Sequence, residues 1–133
     1  MRKILIVDDE PDTRLLLRRR LEANRFAVSE VQNGRDVLRK TLEDRPDLII
    51  LDLKMPGLDG IQVYEQLRQE SEARSVPVLF LTGIGSGSQV SSQGLSLIAS
   101  AKHGIEMTGP YAVLTKPYDA RALVEKIQEM LGP

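Results

Sequence analysis

The chain contains no cysteine, and it has a single histidine. Without cysteine there is no disulfide framework and no thiolate to hold a metal. That composition suits a reducing compartment. Surplus charge of either sign is also missing: Lys plus Arg number 18 against 19 for Asp plus Glu, a net charge of −1. Such a balance gives no general attraction to nucleic acid or to an anionic membrane surface. No apolar run approaches the roughly 20 residues of a membrane span. The apolar run near the N-terminus stops at Asp8, too early for a secretory signal. These absences leave a soluble, cytoplasmic protein as the default expectation. With 133 residues the chain is expected to form one domain, 1–133, large enough for a real core.

What is present is a regular alternation. Short apolar runs occur at Lys3 to Val7, Leu48 to Leu51, Val78 to Leu81 and Ala112 to Leu114, with a more alternating run at Ala27 to Val31. Continuous Ile, Val and Leu runs suit strands covered on both faces, as in parallel sheets. Helical periodicity lies between them. Pro11 to Asn24 opens with proline at a first helical position and repeats Leu17 and Leu21. Arg35 to Asp44 puts Val37, Leu38, Thr41 and Leu42 on one face, and Leu58 to Glu70 does the same with Ile61, Tyr64 and Leu67. A fourth helix is expected between Val90 and Lys102. The last runs from Asp119, its expected N-cap, to Leu131. The pattern is (βα)5, an α/β open parallel sheet with helices on both faces.

In such sheets, ligands bind beyond the carboxyl ends of the strands. The residues there are Asp8 and Asp9 after the first run, Asp52 after the third, Thr82 after the fourth and Lys116 after the fifth. Each has an ordinary reading alone: a helix-start acid, a turn aspartate, a turn hydroxyl, a solvated lysine. Together they gather three carboxylates, a hydroxyl and an ammonium on one edge. Three like charges are costly unless a cation offsets them. A hard divalent ion such as Mg2+, with oxygen ligands and several retained waters, does so. One carboxylate can then attack phosphorus while Lys116 and the metal offset charge on the phosphoryl oxygens.

Four segments carry a family resemblance: Val7-Asp8-Asp9-Glu10, Leu51 through Gly60 (LDLKMPGLDG), Leu81-Thr82-Gly83 and Lys116-Pro117-Tyr118. They resemble the receiver domains of two-component response regulators, over nearly the whole chain. The resemblance implies the flavodoxin-like strand order 2-1-3-4-5, for which a chemotaxis receiver is a standard example. It implies that Asp52 is the phosphoacceptor. Mg2+ would be held by Asp9 directly, by Asp8 largely through water, by Asp52 and by the backbone carbonyl of Lys54. Thr82 would be the switch hydroxyl and Lys116 the phosphate-pairing lysine, aimed by a cis Lys116–Pro117 bond. A histidine kinase or histidine phosphotransfer protein would dock on the first helix at Asp12, Leu16, Arg19 and Arg20. The phosphoryl group would shift the face made by the fourth helix, the fifth strand and the fifth helix toward a downstream protein. The domain would support only its own phosphorylation and dephosphorylation.

Two departures stand out. The family usually has Tyr or Phe three residues before the lysine, where this chain has Val113. Tyr111 shares a strand face with Val113 and is a candidate substitute. The stretch from Thr82 to Lys116 is also about a dozen residues longer than the family habit, and nine of the fourteen residues 83–96 are Gly or Ser. That stretch reads as a flexible surface loop or an adapted partner surface, and His103 reads as an exposed helix-end residue. Arg14, Arg18, Arg19 and Arg20 read as a solvated face of the first helix. Two other functions compete. An aspartate-nucleophile phosphatase of the haloacid-dehalogenase type needs a second acid two residues after the nucleophile, where Lys54 stands. A receiver-like interaction module would work without phosphorylation, a reading to which Val113 and the long stretch lend themselves.

Overall fold

The computed structural model describes residues 1–53, 60–82, 104, 107–116 and 118–132. Five parallel strands form one sheet: β1 (Lys3–Val7), β2 (Ala27–Val31), β3 (Leu48–Asp52), β4 (Val78–Thr82) and β5 (Tyr111–Thr115). The strand order is β2-β1-β3-β4-β5, as expected. Four described helices connect or follow them: α1 (Pro11–Ala23), α2 (Val37–Asp44), α3 (Gly60–Gln69) and α4 (Ala120–Leu131). The expected helix between Val90 and Lys102, the stretch 83–96, His103, Lys54 and the Lys116–Pro117 bond all lie outside the described residues.

The sheet divides the apolar interior in two. Leu5, Val7, Ile49, Leu51, Val78 and Phe80 face one cluster, completed by Val37 and by Ile61, Tyr64 and Leu67 of α3. Ile4, Ile6, Leu48, Ile50, Leu79 and Leu81 face the other, completed by Leu17 and Leu21 of α1 and by Leu123, Val124 and Ile127 of α4. Every residue of β3 and β4 is buried, which is why their sequences are continuous apolar runs rather than alternating ones. The outer strands β2 and β5 are mostly half-buried.

Helix limits follow local chemistry. Pro11 starts α1, where its missing N–H costs nothing, and Asp12 sits in the positively polarised first turn. The Asp119 carboxylate accepts from the Ala122 N–H at 2.7 Å, the N-cap expected for α4. The segment expected to be one helix from Arg35 is instead a short 3-10 turn, Gly34–Asp36, followed by α2. The Asn33 side chain accepts from the Asp36 N–H and holds that turn.

Candidate functional site

Because all five strands run the same way, their carboxyl ends share one edge. Register sets the neighbours there: Val7 pairs with Leu51, Asp52 with Leu81, and Thr82 with Thr115. Backbone bonds carry the alignment past the strand ends. The Leu53 N–H donates to the Leu81 carbonyl (3.1 Å) and the Lys116 N–H to the Thr82 carbonyl (2.8 Å). Asp52, Thr82 and Lys116 are thereby drawn to one place. The Lys116 Nζ lies 3.6 Å from Asp52 Oδ2.

Burial is unusual for such polar groups. Asp8 is 2 % exposed, Asp52 8 % and Thr82 6 %, while Asp9 is exposed. Removal from water pushes the Asp8 carboxyl above the ordinary aspartate range. The Glu10 N–H, donating to Asp8 Oδ1 at 2.9 Å, opposes this; the charges of Asp52 and Asp9 add to it, and Lys116 subtracts. Asp8 is therefore electrostatically coupled to Asp9, Asp52 and Lys116. Tyr118 also feels the site. Burial foremost raises its phenol, Arg20 lowers it, and Asp8 and Asp52 raise it again.

The loop bearing the acids is tightly held. The Asp8 N–H donates to the Val31 carbonyl of β2 (3.2 Å), and the Asp8 carbonyl accepts from Arg14 Nη1 (2.8 Å). Arg14 Nε donates to Glu30 Oε1 (3.0 Å), and Arg18 Nε donates to Glu30 Oε2 (2.6 Å). Two of the four arginines read as a solvated face are thus fastened to β2. Arg19 is exposed and Arg20 half-buried. Asp12 and Leu16 are exposed as expected, Leu16 at 50 %, and Leu15 is exposed beside it at 48 %.

Opposite this loop, α3 starts hard against β3. A Cβ on Gly60 would stand 3.0 Å from Leu53 Cδ2 and 3.3 Å from the Asp52 carbonyl. Glycine here lets the helix begin close to the backbone of the central aspartate without pressing on Leu53.

The donor set suits a hard cation that keeps much of its water. Among the described residues no three acidic side chains are arranged to ligate one ion directly. An exposed Asp9 beside a clustered, partly desolvated Asp8 and Asp52 instead matches an ion taking one or two carboxylates, as Mg2+ does. A groove of about 730 Å3 between α2 and α3, lined by Leu38, Leu42, Gln66 and Gln69 among others, includes none of the strand-end residues.

Tyr111 does not take the place of an aromatic near Thr82. It packs on the same cluster as Val113, so the shared face is as expected. Its register partner, however, is Val78, at the opposite end of β4 from Thr82. Its ring meets Tyr64 at 5.7 Å and Phe80 at 6.1 Å between centroids.

Comparison with known proteins agrees with this geometry. A family profile described as "Response regulator receiver domain" matches residues 4–128. The chain belongs to that family. Receiver domains are signalling switches of two-component systems, and they interact with histidine kinases or phosphotransfer proteins. Over 129 residues this receiver is 38 % identical to the transcriptional regulatory protein ResD of Bacillus subtilis, covering 97 % of this chain and 48 % of that protein. It is 30 % identical to the protein PilH of Pseudomonas aeruginosa, covering 99 % of both. The chemotaxis protein CheY4 of Vibrio cholerae has a similar structure, with a TM-score of 0.78 at 25 % identity over 98 % of each chain. The chain spans about half the length of ResD and of several other curated relatives it matches. Among the described residues no helix is long and apolar enough to cross a membrane.

Sequence reading missed three features: the hold of Arg14 on the Asp8 carbonyl, the Glu30 pairings, and a cluster around Arg68. Arg68 donates to the carbonyls of Ala73, Arg74, Val76 and Pro110, and its guanidinium lies 4.1 Å from the Tyr64 ring centroid. The Tyr64 hydroxyl donates to the Thr108 carbonyl. Glu30 offered the one available signal, a charge in a strand that is otherwise apolar or small.

Proposed function

We propose that this receiver is a phosphoacceptor switch in which Asp52 takes a phosphoryl group from phosphohistidine on a histidine kinase or phosphotransfer protein. The observation that carries the reading is the Lys116 ammonium 3.6 Å from a nearly buried Asp52 carboxylate. A carboxylate oxygen of Asp52 attacks phosphorus; the P–O bond forms as the P–N bond of the donor breaks, and the imidazole leaves. Lys116 pairs with the phosphoryl oxygens and holds the acceptor carboxylate in line. Thr82, at the end of the neighbouring strand, donates its hydroxyl to the same group. Asp9 and Asp52, with Asp8 and the Lys54 carbonyl as the resemblance assigns them, would hold Mg2+. The ion, when bound, offsets charge on the phosphoryl oxygens. Arg14 and the Glu10 N–H keep the acidic loop seated.

The acyl phosphate shifts a two-state equilibrium in the face made by the expected helix at Val90–Lys102, β5 and α4. A valine at position 113 has no ring to swing between buried and exposed positions. Docking of the phosphoryl donor uses the exposed α1 residues Asp12, Leu16 and Arg19 with Arg20, where an apolar side chain stands among charges. The domain supports loss of its own phosphoryl group and turns over no outside substrate.

Acetyl phosphate with Mg2+, followed by intact-mass spectrometry, tests the assignment. One phosphoryl mass is expected on the wild type and none on Asp52→Asn. A full mass gain on the variant would overturn it.

A further inference from the structure

The geometry points to Arg14 as a positioning residue for the cation site: it clamps the Asp8 backbone, and so sets where the Asp8 and Asp9 carboxylates stand. This rests on the phosphoacceptor reading above. The loop between β1 and α1 is only three residues, Asp8 to Glu10. Its first residue is held at three polar atoms. The N–H is fixed to β2 through Val31, Oδ1 takes the Glu10 N–H, and the carbonyl takes Arg14 Nη1. Of these partners, only Arg14 is a side chain and therefore open to substitution without rebuilding the backbone.

Arg14 is itself held at two points. Nε donates to Glu30, and the Arg14 N–H donates to the Glu10 carbonyl at 3.1 Å. The guanidinium side chain is 13 % exposed. Its planar fork uses Nε and Nη1 together, one on a carboxylate and one on the loop carbonyl. A lysine has one nitrogen and no such fork. Arg18 provides the internal control. It meets the same Glu30 through its own Nε, at 2.6 Å, but makes no hydrogen bond to Asp8. Loss of Arg18 removes an equivalent helix-to-strand ion pair while leaving the loop carbonyl held.

The expected consequence is local. Without the clamp, the Asp8 carbonyl rotates toward water and the Glu10 N–H loses its fixed acceptor. The two acidic side chains then sample positions that do not converge on one ion. Outer partners of metal ligands commonly contribute about tenfold or more to affinity.

The experiment titrates Mg2+ into the wild type and into Arg14→Ala, Arg14→Lys and Arg18→Ala by calorimetry. Amide hydrogen exchange at Glu10 is followed in the metal-free proteins, and urea unfolding gives overall stability. Arg14→Ala and Arg14→Lys should each weaken Mg2+ by about tenfold and speed Glu10 exchange, while Arg18→Ala leaves both within about twofold of the wild type. Arg14→Lys keeps the charge and lacks the fork, so it also decides the matter if Arg14→Ala fails to fold. Wild-type Mg2+ affinity in Arg14→Lys, or an equal loss in Arg18→Ala, would overturn the inference and leave the phosphoacceptor reading standing. A wild-type chain that binds no Mg2+ would overturn both.

Discussion

Replacing Arg68 should destabilise the domain without touching the strand-end site. Arg68 reaches from the last turn of α3 to the carbonyls of Ala73, Arg74 and Val76 in the following turn and to Pro110 just before β5. The bonds to Ala73 and Val76 are part-buried, and those to Arg74 and Pro110 are exposed. Exposed carbonyls regain water when the arginine is lost, so only the two part-buried ones count. At about 1.5 kcal/mol for each bond to a charged donor they amount to about 3 kcal/mol. The guanidinium over Tyr64, with 4.1 Å to the centroid, adds about 1 kcal/mol. Against this, the buried Nε–H has no acceptor, a cost of about 1 kcal/mol that truncation relieves. Arg68→Ala should therefore cost about 3 kcal/mol, equivalent to a fall of about 10 °C in Tm for a chain of this size. Arg68→Lys keeps the charge but meets fewer carbonyls, and should lose about half as much. The chain has no tryptophan, so urea unfolding is followed by circular dichroism at the helical minimum. A change below about 1 kcal/mol in Arg68→Ala would refute this hydrogen-bond accounting.

Two predictions concern the acids. The folded state raises the Asp8 pKa, so it favours the protonated carboxyl. Ionised Asp8 therefore opposes folding, and the penalty grows as pH rises from the ordinary aspartate value through the raised folded one. Asp8→Asn keeps the Oδ1 acceptor for the Glu10 N–H and should raise the urea midpoint at pH 7 without Mg2+. The gain should fade below about pH 4; a gain independent of pH would count against charge as its cause. Asp9→Ala should weaken Mg2+ binding at least tenfold, or about 1.4 kcal/mol, and an unchanged calorimetric isotherm would argue against Asp9 as a ligand.

Much of the fold and the candidate site was legible because each signal was local. Apolar runs of four or five residues located β3 and β4, and Asp119 standing before an amphipathic run located the start of α4. The parallel order then brought Asp8, Asp52, Thr82 and Lys116 to one edge, since strand ends must share a side. What escaped depended on crossings. Arg14 and Arg18 look alike along α1, and only the packing of α1 on β2 gives both of them to Glu30. Arg68 carries a charge on an otherwise ordinary helix surface, and its four carbonyl partners come from two separate segments, Ala73 to Val76 and Pro110. Tyr111 illustrates the remaining limit: periodicity gave its face correctly, but its height along the strand came from register with Val78.

The strand order also distributes the charges of the site among the strands. In chain order after β2, each strand lies one place further along the same side of the sheet: β3 beside β1, β4 beside β3, β5 beside β4. Asp8, Asp9 and Asp52 come with the central strands β1 and β3, whereas Lys116 comes with β5 at the edge. The negative charges thus come from the interior of the sheet, and the ammonium that faces Asp52 comes from its margin. The seating of the edge strand β5 on β4 therefore places the ammonium that offsets those carboxylates, so a change that loosens this flank would also disturb the charge balance at the strand ends.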